Sequence, residues 1–517
     1  MPGNRNFETA LNYHNATKHS YASVHNNPHF LDFNNQPIPF KIYPTLEPSA
    51  LPAEVRQTGV AALSAISEIV PAQTSAAPDL EAIAQLLYLS AGITRHRKYP
   101  GGEIYFRAAA CTGALYEVEL YLVCGDLRSG DRPNLDAGVY HFAPAEFGLR
   151  KLRAGDYRSI LIEATAAEPA IAHAPLTMVY TCTYWRNAWK YQGRTYRHFG
   201  WDSGTLLANL LAVATAVGLP AKVVCGFVDD MVTALLDVDT QREVAFSLVP
   251  IGHASAPLPQ PPATVLPLGF ETVPLSRHEI DYPLMREMHA ASSLHSAAEV
   301  AAWRGSTPLT NFPPPQGPVV QLQPSSDAEI PRDSIEQVIL RRGSSRKFDR
   351  TPITLGQLST MLDRATRGVP ADFHDPVGSQ LNHLYLIVHA VEDLEPGAYV
   401  FHRGRKALEC LKQGDFRSQA GYLGLQQALP ADAAVDVFFL ANLGPIVQRF
   451  GNRGYRAVQL EAGILGGKLY LAAYTQHLGA TGLTFFDDEV TSFFSPHATG
   501  KSAIFLVALG HSTRHKP

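Results

Sequence analysis

The chain has 517 residues, 46% of them hydrophobic and 17% charged, with a net charge of −4. That length exceeds what one core normally serves, so two or three domains of a soluble globular protein are expected. The charge balance gives no electrostatic reason to expect a nucleic acid or an anionic membrane as partner. The five cysteines, Cys111, Cys124, Cys182, Cys225 and Cys410, are widely spaced, with no CxxC and no Cys/His cluster. Neither a disulfide framework nor a metal site is therefore supported, and a cytoplasmic location is the expectation.

Residues 1–78 read as an N-terminal extension. Its first twenty residues have no apolar core and no cleavage signature, so no signal peptide is expected. A first domain over 79–253 opens with an amphipathic helix at LEAIAQLLYLSAGI and continues into the β-rich run ALYEVELYLVCGD. A hairpin strand at GVYHF (Gly138), a buried strand at TMVYTCTY, a long helix beginning near Gly204 and a last strand at VAFSLVPIG complete it. Residues 254–332 are proline-rich and read as a linker or surface strap without a packed core, broken by a short helix around SSLHSAAEVAAW. A second domain over 333–517 begins with helices at DSIEQVILRRG and TLGQLSTMLDRAT. Helices mixed with antiparallel hairpins argue an α+β class.

The two domains are copies of one another. YQGRTYRHFGWDSG at Tyr191 matches FGNRGYRAVQLEAG at Phe450, pairing Arg194, Tyr196, Arg197 and Gly204 with Arg453, Tyr455, Arg456 and Gly463 at one offset of 259 residues. FVDDMV at Phe227 meets FFDDEV at Phe485, and LVPIGH at Leu248 meets LVALGH at Leu506, at 258. A period this long indicates two fused domains, and fused copies reproduce the shared interface of a homodimer within one chain. The uncharged run at Gly204 could suggest a membrane span, but its counterpart carries Lys468, Gln476 and His477. A buried interface helix is the better reading. The arginine pairs read as ties between the long helices and the sheets, and the paired aspartates as helix caps.

Two constellations carry chemistry. In RRGSSRKFD, Arg342, Ser344 and Arg346 alternate along an extended segment and share a face, which suits a phosphate dianion. The same run would also suit a solvated basic turn. In RAAACTGALYEVELY, small residues around Gly113 and Ala114 let backbone amides approach a flat ligand, although a tight turn into an edge strand has the same composition. The first copy lacks the arginine segment, and the second has HDPVGSQLNHLYL in place of the small-residue loop.

On these motifs the chain resembles the nitroreductase superfamily, and within it the SagB-type azoline (thiazole/oxazole) dehydrogenases. The resemblance implies two fused nitroreductase-like domains forming an intrachain pseudo-dimer, an FMN cofactor and a peptide-derived or small-molecule substrate, with NAD(P)H-dependent nitro or quinone reduction as the alternative. A non-catalytic binding partner is the reading from another class. Arg342, Ser344 and Arg346 match the family's phosphate motif. Ala110, Cys111, Thr112, Gly113 and Ala114 occupy its flavin-ring loop, with Cys111 where the family has serine and Glu117 where it has proline. Lys190 and Tyr191 match its acid/base pair. Gly479, Ala480, Thr481 and Gly482 fall where a loop meets the flavin N5 edge, and Gly510, His511 and Arg514 resemble the tail that returns to the phosphate. The second copy has Arg449 and Phe450 in place of the Lys-Tyr pair. Complementary loss predicts one FMN per monomer, at a site built from both copies, and one dead site.

Overall fold

A computed structural model describes residues 3–99, 102–129, 132–255, 265–304, 312–374 and 379–513. Two helices, Thr195–Ala216 and Arg453–Thr475, form its centre, and almost every residue of both is buried. A helix apolar or small on all sides needs another helix against it. These two meet at counterpart glycines, where a Cβ on Gly204 would lie 2.5 Å from Gly463 backbone. The first helix starts at Thr195 and not near Gly204. Gly200 and Gly204 do not end or begin a helix here; they let the two backbones touch at the pseudo-twofold crossing.

Each half adds one antiparallel sheet. The first runs Ser49–Ala50, Gly148–Ala154, Gly138–Ala143, Val118–Cys124, Leu176–Thr183 and Glu243–Ile251 in spatial order. The second runs Val319–Gln321, Ala407–Gln413, Gly397–His402, His383–Val388, Val435–Ala441, Ser502–Gly510 and Gly479–Leu483. The last of these, Gly479–Leu483, is a paired edge strand in the second half, whereas its counterpart in the first half makes isolated bridges, Ala221 to Ile251, Val224 to Leu248 and, across the halves, Val223 to Ala371. A hairpin formed by Ile93–Tyr99 and Gly102–Arg107 lies outside the main sheets and was not expected from the sequence. The strands and helices expected at Leu80, Val118, Gly138, Leu176, Glu243, Ile335 and Leu355 are present.

The proline-rich stretch corrects its reading as a coreless linker. Its helices Pro283–Ala291 and Ala297–Arg304 bury Met285, Met288, Val300 and Trp303, and Val319–Gln321 joins the second sheet. Proline content hid a repeat, because NYHNATKH from Asn12 aligns with EMHAASSL from Glu287. Asp487 receives the His19 N–H (2.8 Å) and gives its own N–H to His19 O, while Asp229 receives the Leu294 N–H (2.9 Å) and gives its own to Leu294 O.

The arginine and aspartate readings are corrected in the same place. Arg194 and Arg197 of the first half clamp Asp487 of the second at 3.0 and 2.6 Å. Arg453 and Arg456 clamp Asp229 of the first half at 2.6 and 2.8 Å. Both aspartates begin helices but make no side-chain cap. Burial would push their carboxyls up, yet the arginine pairs hold both well below the ordinary range. The clamps therefore tie the halves to each other.

Candidate active site

The ring-side segment follows the hairpin strand Gly102–Arg107. Gly113, Ala114 and Tyr116 all adopt left-handed backbone, with φ of 63°, 54° and 55°. Two of the three carry side chains, so the turn is strained and needs outside support. Asp202, on the first central helix, supplies it by accepting from Thr112 N (2.8 Å) and Thr112 Oγ1 (2.9 Å). Arg186 donates to Tyr116 O (2.7 Å), and the Tyr116 hydroxyl accepts from Arg107 N (3.0 Å).

Behind the turn lies a buried acidic cluster. The Cys111 thiol is 3.4 Å from Asp202 Oδ2 and 3.5 Å from Glu117 Oε2. Burial, and then the neighbouring Glu117, raise the Asp202 carboxyl well above its ordinary range. Burial, Asp202 and Glu117 likewise keep Cys111 a thiol. Glu117 Oε1 is buried without a hydrogen-bond partner among the described residues.

Lys190 and Tyr191 close the helix Tyr184–Tyr191, which Gln192 ends with a left-handed φ of 51°. A Cβ on Gly113 would lie 2.8 Å from the Tyr191 hydroxyl, so glycine is required where the loop passes the phenol. The Lys190 ammonium stands 5.3 Å from the Tyr191 ring centre. Burial lowers the Lys190 pKa, and Arg346 from the other half lowers it further. Tyr191 is pushed the other way, by burial and then by Asp202, Cys111 and Glu117. The pair thus sets a lysine whose pKa is lowered beside a phenol whose pKa is raised.

The second half supplies the basic segment. Arg342 is buried and donates from Nε to Ala108 O (2.9 Å), so it fastens this segment to the strand leading into the ring-side turn. Ser344 Oγ lies 3.4 Å from the Tyr470 hydroxyl, which also receives the Gly482 N–H. Ser345 donates its N–H to Ala480 O (2.9 Å), and its buried hydroxyl has no partner among the described residues. Arg346 is exposed and its guanidinium has no hydrogen-bond partner among the described residues. Gly479, Ala480, Thr481 and Gly482 lie on the edge strand beside Ser345, with Thr481 buried. Arg514 lies outside the described residues.

The nitroreductase family matches residues 339–511. A crystal structure of an Anabaena variabilis protein bearing a nitroreductase name superimposes with a TM-score of 0.75, covering 98% of this chain and 99% of that one at 26% identity. The nitroreductase-like α+β fold therefore extends over both halves. The trifolitoxin-processing protein TfxB of Rhizobium leguminosarum bv. trifolii is 29% identical over 32% of this chain and 45% of its own. The microcin B17-processing protein McbC of Escherichia coli is 27% identical over 29% of this chain and 51% of its own. The matched region spans about half the length of these two relatives.

Around the matched residues, the structure brings Lys190, Tyr191 and the Cys111–Ala114 turn of one half to the Arg342–Arg346 segment of the other. Its donors could hold an anionic group: the exposed Arg346, the Ser345 hydroxyl, unpartnered among the described residues, and the edge at Gly479, where a Cβ would strike Ser345 Oγ. Sequence reasoning missed Asp202 and Ser345. The signal for Asp202 was its place at the repeat offset from Glu461, a carboxylate in both copies.

Proposed function

We propose that the chain is an FMN-dependent oxidoreductase of SagB type that dehydrogenates a peptide-derived or small-molecule substrate, an azoline ring being the favoured target. The observation carrying this reading is the junction of the halves at the ring-side turn, where Arg342 Nε of the second half donates to Ala108 O of the first (2.9 Å) and the Tyr191 hydroxyl packs against Gly113. It sets an acid/base pair from one half against a phosphate-grade cation from the other. The names of the two processing proteins support a peptide-derived substrate.

Arg346, with Ser344 and Ser345, would hold the phosphate through charge-assisted hydrogen bonds. Arg342 would keep that segment joined to the ring-side turn. Backbone amides of Thr112–Ala114 and of Gly479–Gly482 would face the ring system. Bound FMN would supply a two-electron hydride acceptor. As hydride leaves one carbon of the azoline, Lys190 takes the proton lost from the ring, and the Tyr191 phenol orients that transfer. Oxygen would then receive the two electrons and two protons as hydrogen peroxide.

The test is anaerobic mixing of the flavinated protein with an azoline-containing peptide, followed by admission of oxygen. Flavin bleaching, azole formation and peroxide release are expected in equal amounts. No bleaching with the peptide, together with rapid bleaching by NADPH and turnover with a quinone, would replace the dehydrogenase with a reductase. A protein that purifies and reconstitutes without flavin would fit a binding role instead.

A further inference from the structure

The first half contains a cavity where pseudo-symmetry sets the counterpart of the proposed flavin site. Ala221 and Lys222 stand at the positions of Ala480 and Thr481, and Gly252 and His253 at those of Gly510 and His511. All four line a cavity of about 690 Å³. The other half contributes Pro370, Ala371, Asp372 and His374, from the region that has lost the ring-side turn. Backbone pairing closes this junction: Val223 N donates to Pro370 O (2.8 Å) and Asp372 N to Val223 O (3.0 Å). The volume falls within the range of roughly 300–1,000 Å³ typical of small-molecule sites.

Most of the polar groups at its wall are already paired, His374 Nδ1 being an exception among the described residues. Glu168 accepts from Lys222 (2.7 Å) and from Arg304 (2.5 Å). Asp372 accepts from the amides of Cys225 (2.9 Å) and Gly226 (2.7 Å). His374 Nε2 faces Glu461 at 3.1 Å, and the His253 ring stacks on His173. Where the second half has its arginine segment, this wall has Ile69, Val70, Pro71 and Ala72. A phosphate dianion would find no uncommitted cation here, and burying one unpaired is costly. Prolines from several segments, Pro71, Pro169, Pro220 and Pro370 among them, offer rigid apolar faces instead.

We propose that this cavity binds a planar heteroaromatic molecule that lacks a phosphate and carries little charge, a second ligand site distinct from the flavin site. The shape of the ligand rests on the pseudo-symmetry with the proposed flavin site. The cavity and its pairing of charges stand without it. The site would have exchanged a phosphate grip for an apolar wall and so discriminate against FMN by the group that FMN needs elsewhere.

Riboflavin and lumichrome are the probes, followed by equilibrium dialysis against protein already saturated with FMN. One further molecule per chain should bind, and FMN should compete for it at least about tenfold more weakly than riboflavin. Ala170→Trp and, separately, Ala72→Trp fill the cavity from partly exposed positions. Each should weaken riboflavin binding about tenfold or more while leaving retained FMN unchanged. No binding of either probe at about 1 mM, equal binding to the filled variants, or FMN binding there as tightly as riboflavin would overturn the proposal. If the protein retains no FMN at all, the flavin-site reading fails, and probe binding lost in Ala170→Trp still decides for the cavity.

Discussion

The two halves agree where they clamp each other and diverge where ligands would sit. Asp229 and Asp487 carry equivalent arginine pairs, the same hydrogen-bond exchange with the matched positions Leu294 and His19, and the same depressed carboxyls. Asp202 and Glu461 occupy matched positions on the central helices and do opposite things. Burial and the neighbouring Glu117 raise the Asp202 carboxyl well above its ordinary range. Glu461 accepts from Leu381 N (3.0 Å), Asn382 N (2.7 Å) and Asn382 Nδ2 (2.7 Å), which with His374 keep it below the ordinary carboxyl range despite burial. The clamps are needed twice because each half supplies the arginines for the other. A ligand site in a fused pair is needed only once, so its two sets of parts are free to diverge.

The strongest way to break this comparison is to treat the two helix ends alike. Lys190→Ala should slow flavin bleaching by substrate about 100- to 10,000-fold in flavinated protein, whereas Arg449→Ala should stay near wild type. Equal effects would put the chemistry on the wrong half. The clamps should respond symmetrically: Asp229→Ala and Asp487→Ala should each cost about 3–5 kcal/mol in denaturant unfolding, because each strands two buried guanidiniums. A difference of several kcal/mol between them would mean that the halves do not share their scaffold equally.

Next in size is the phosphate cation. Arg346→Ala should weaken FMN binding by about 1.5–3 kcal/mol, or ten- to a hundredfold, with little change in thermal stability. Arg342→Ala should lower both, since its guanidinium bonds the backbone of the other half. If Arg346→Ala retains flavin at wild-type affinity, the phosphate lies elsewhere.

The smallest effect sharpens the contrast between the two central carboxyls. Asp202 has a raised folded pKa, so the stability it contributes is present below its unfolded value of about 3.9 and is lost as pH rises toward the folded value. Asp202→Asn should therefore gain on wild type as pH climbs above about 4. Glu461→Gln should show the reverse trend, because a depressed carboxyl adds stability above its unfolded pKa of about 4.3. Parallel curves for the two variants would show that both sites hold their carboxyls in one state.

Much of this fold was legible because periodicity and repetition speak together. Strands such as Leu176–Thr183 are rich in β-branched and apolar residues and buried throughout, and the matched spacing of Arg194, Arg197, Arg453 and Arg456 announced two copies. The role of those arginines was not legible, since a residue's own repeat does not tell which copy it touches. Gly204 read as the start of a helix although, with Gly200, it marks a helix crossing. The segment Pro283–Leu294 read as linker because flanking prolines outweighed a short match to the N-terminus. In the candidate site, Lys190, Tyr191 and the Arg342–Arg346 run were visible as motifs. The Asp202–Glu117–Cys111 cluster was not, because it joins positions distant in sequence whose proton sharing depends on burial.

Flavin stoichiometry tests the central claim most directly. Protein reconstituted with excess FMN, freed of unbound cofactor and denatured should release one FMN per 517-residue chain. Release of two would contradict the divergence of the two sites, because the half without an arginine segment would then hold a phosphate as well as the half that has one.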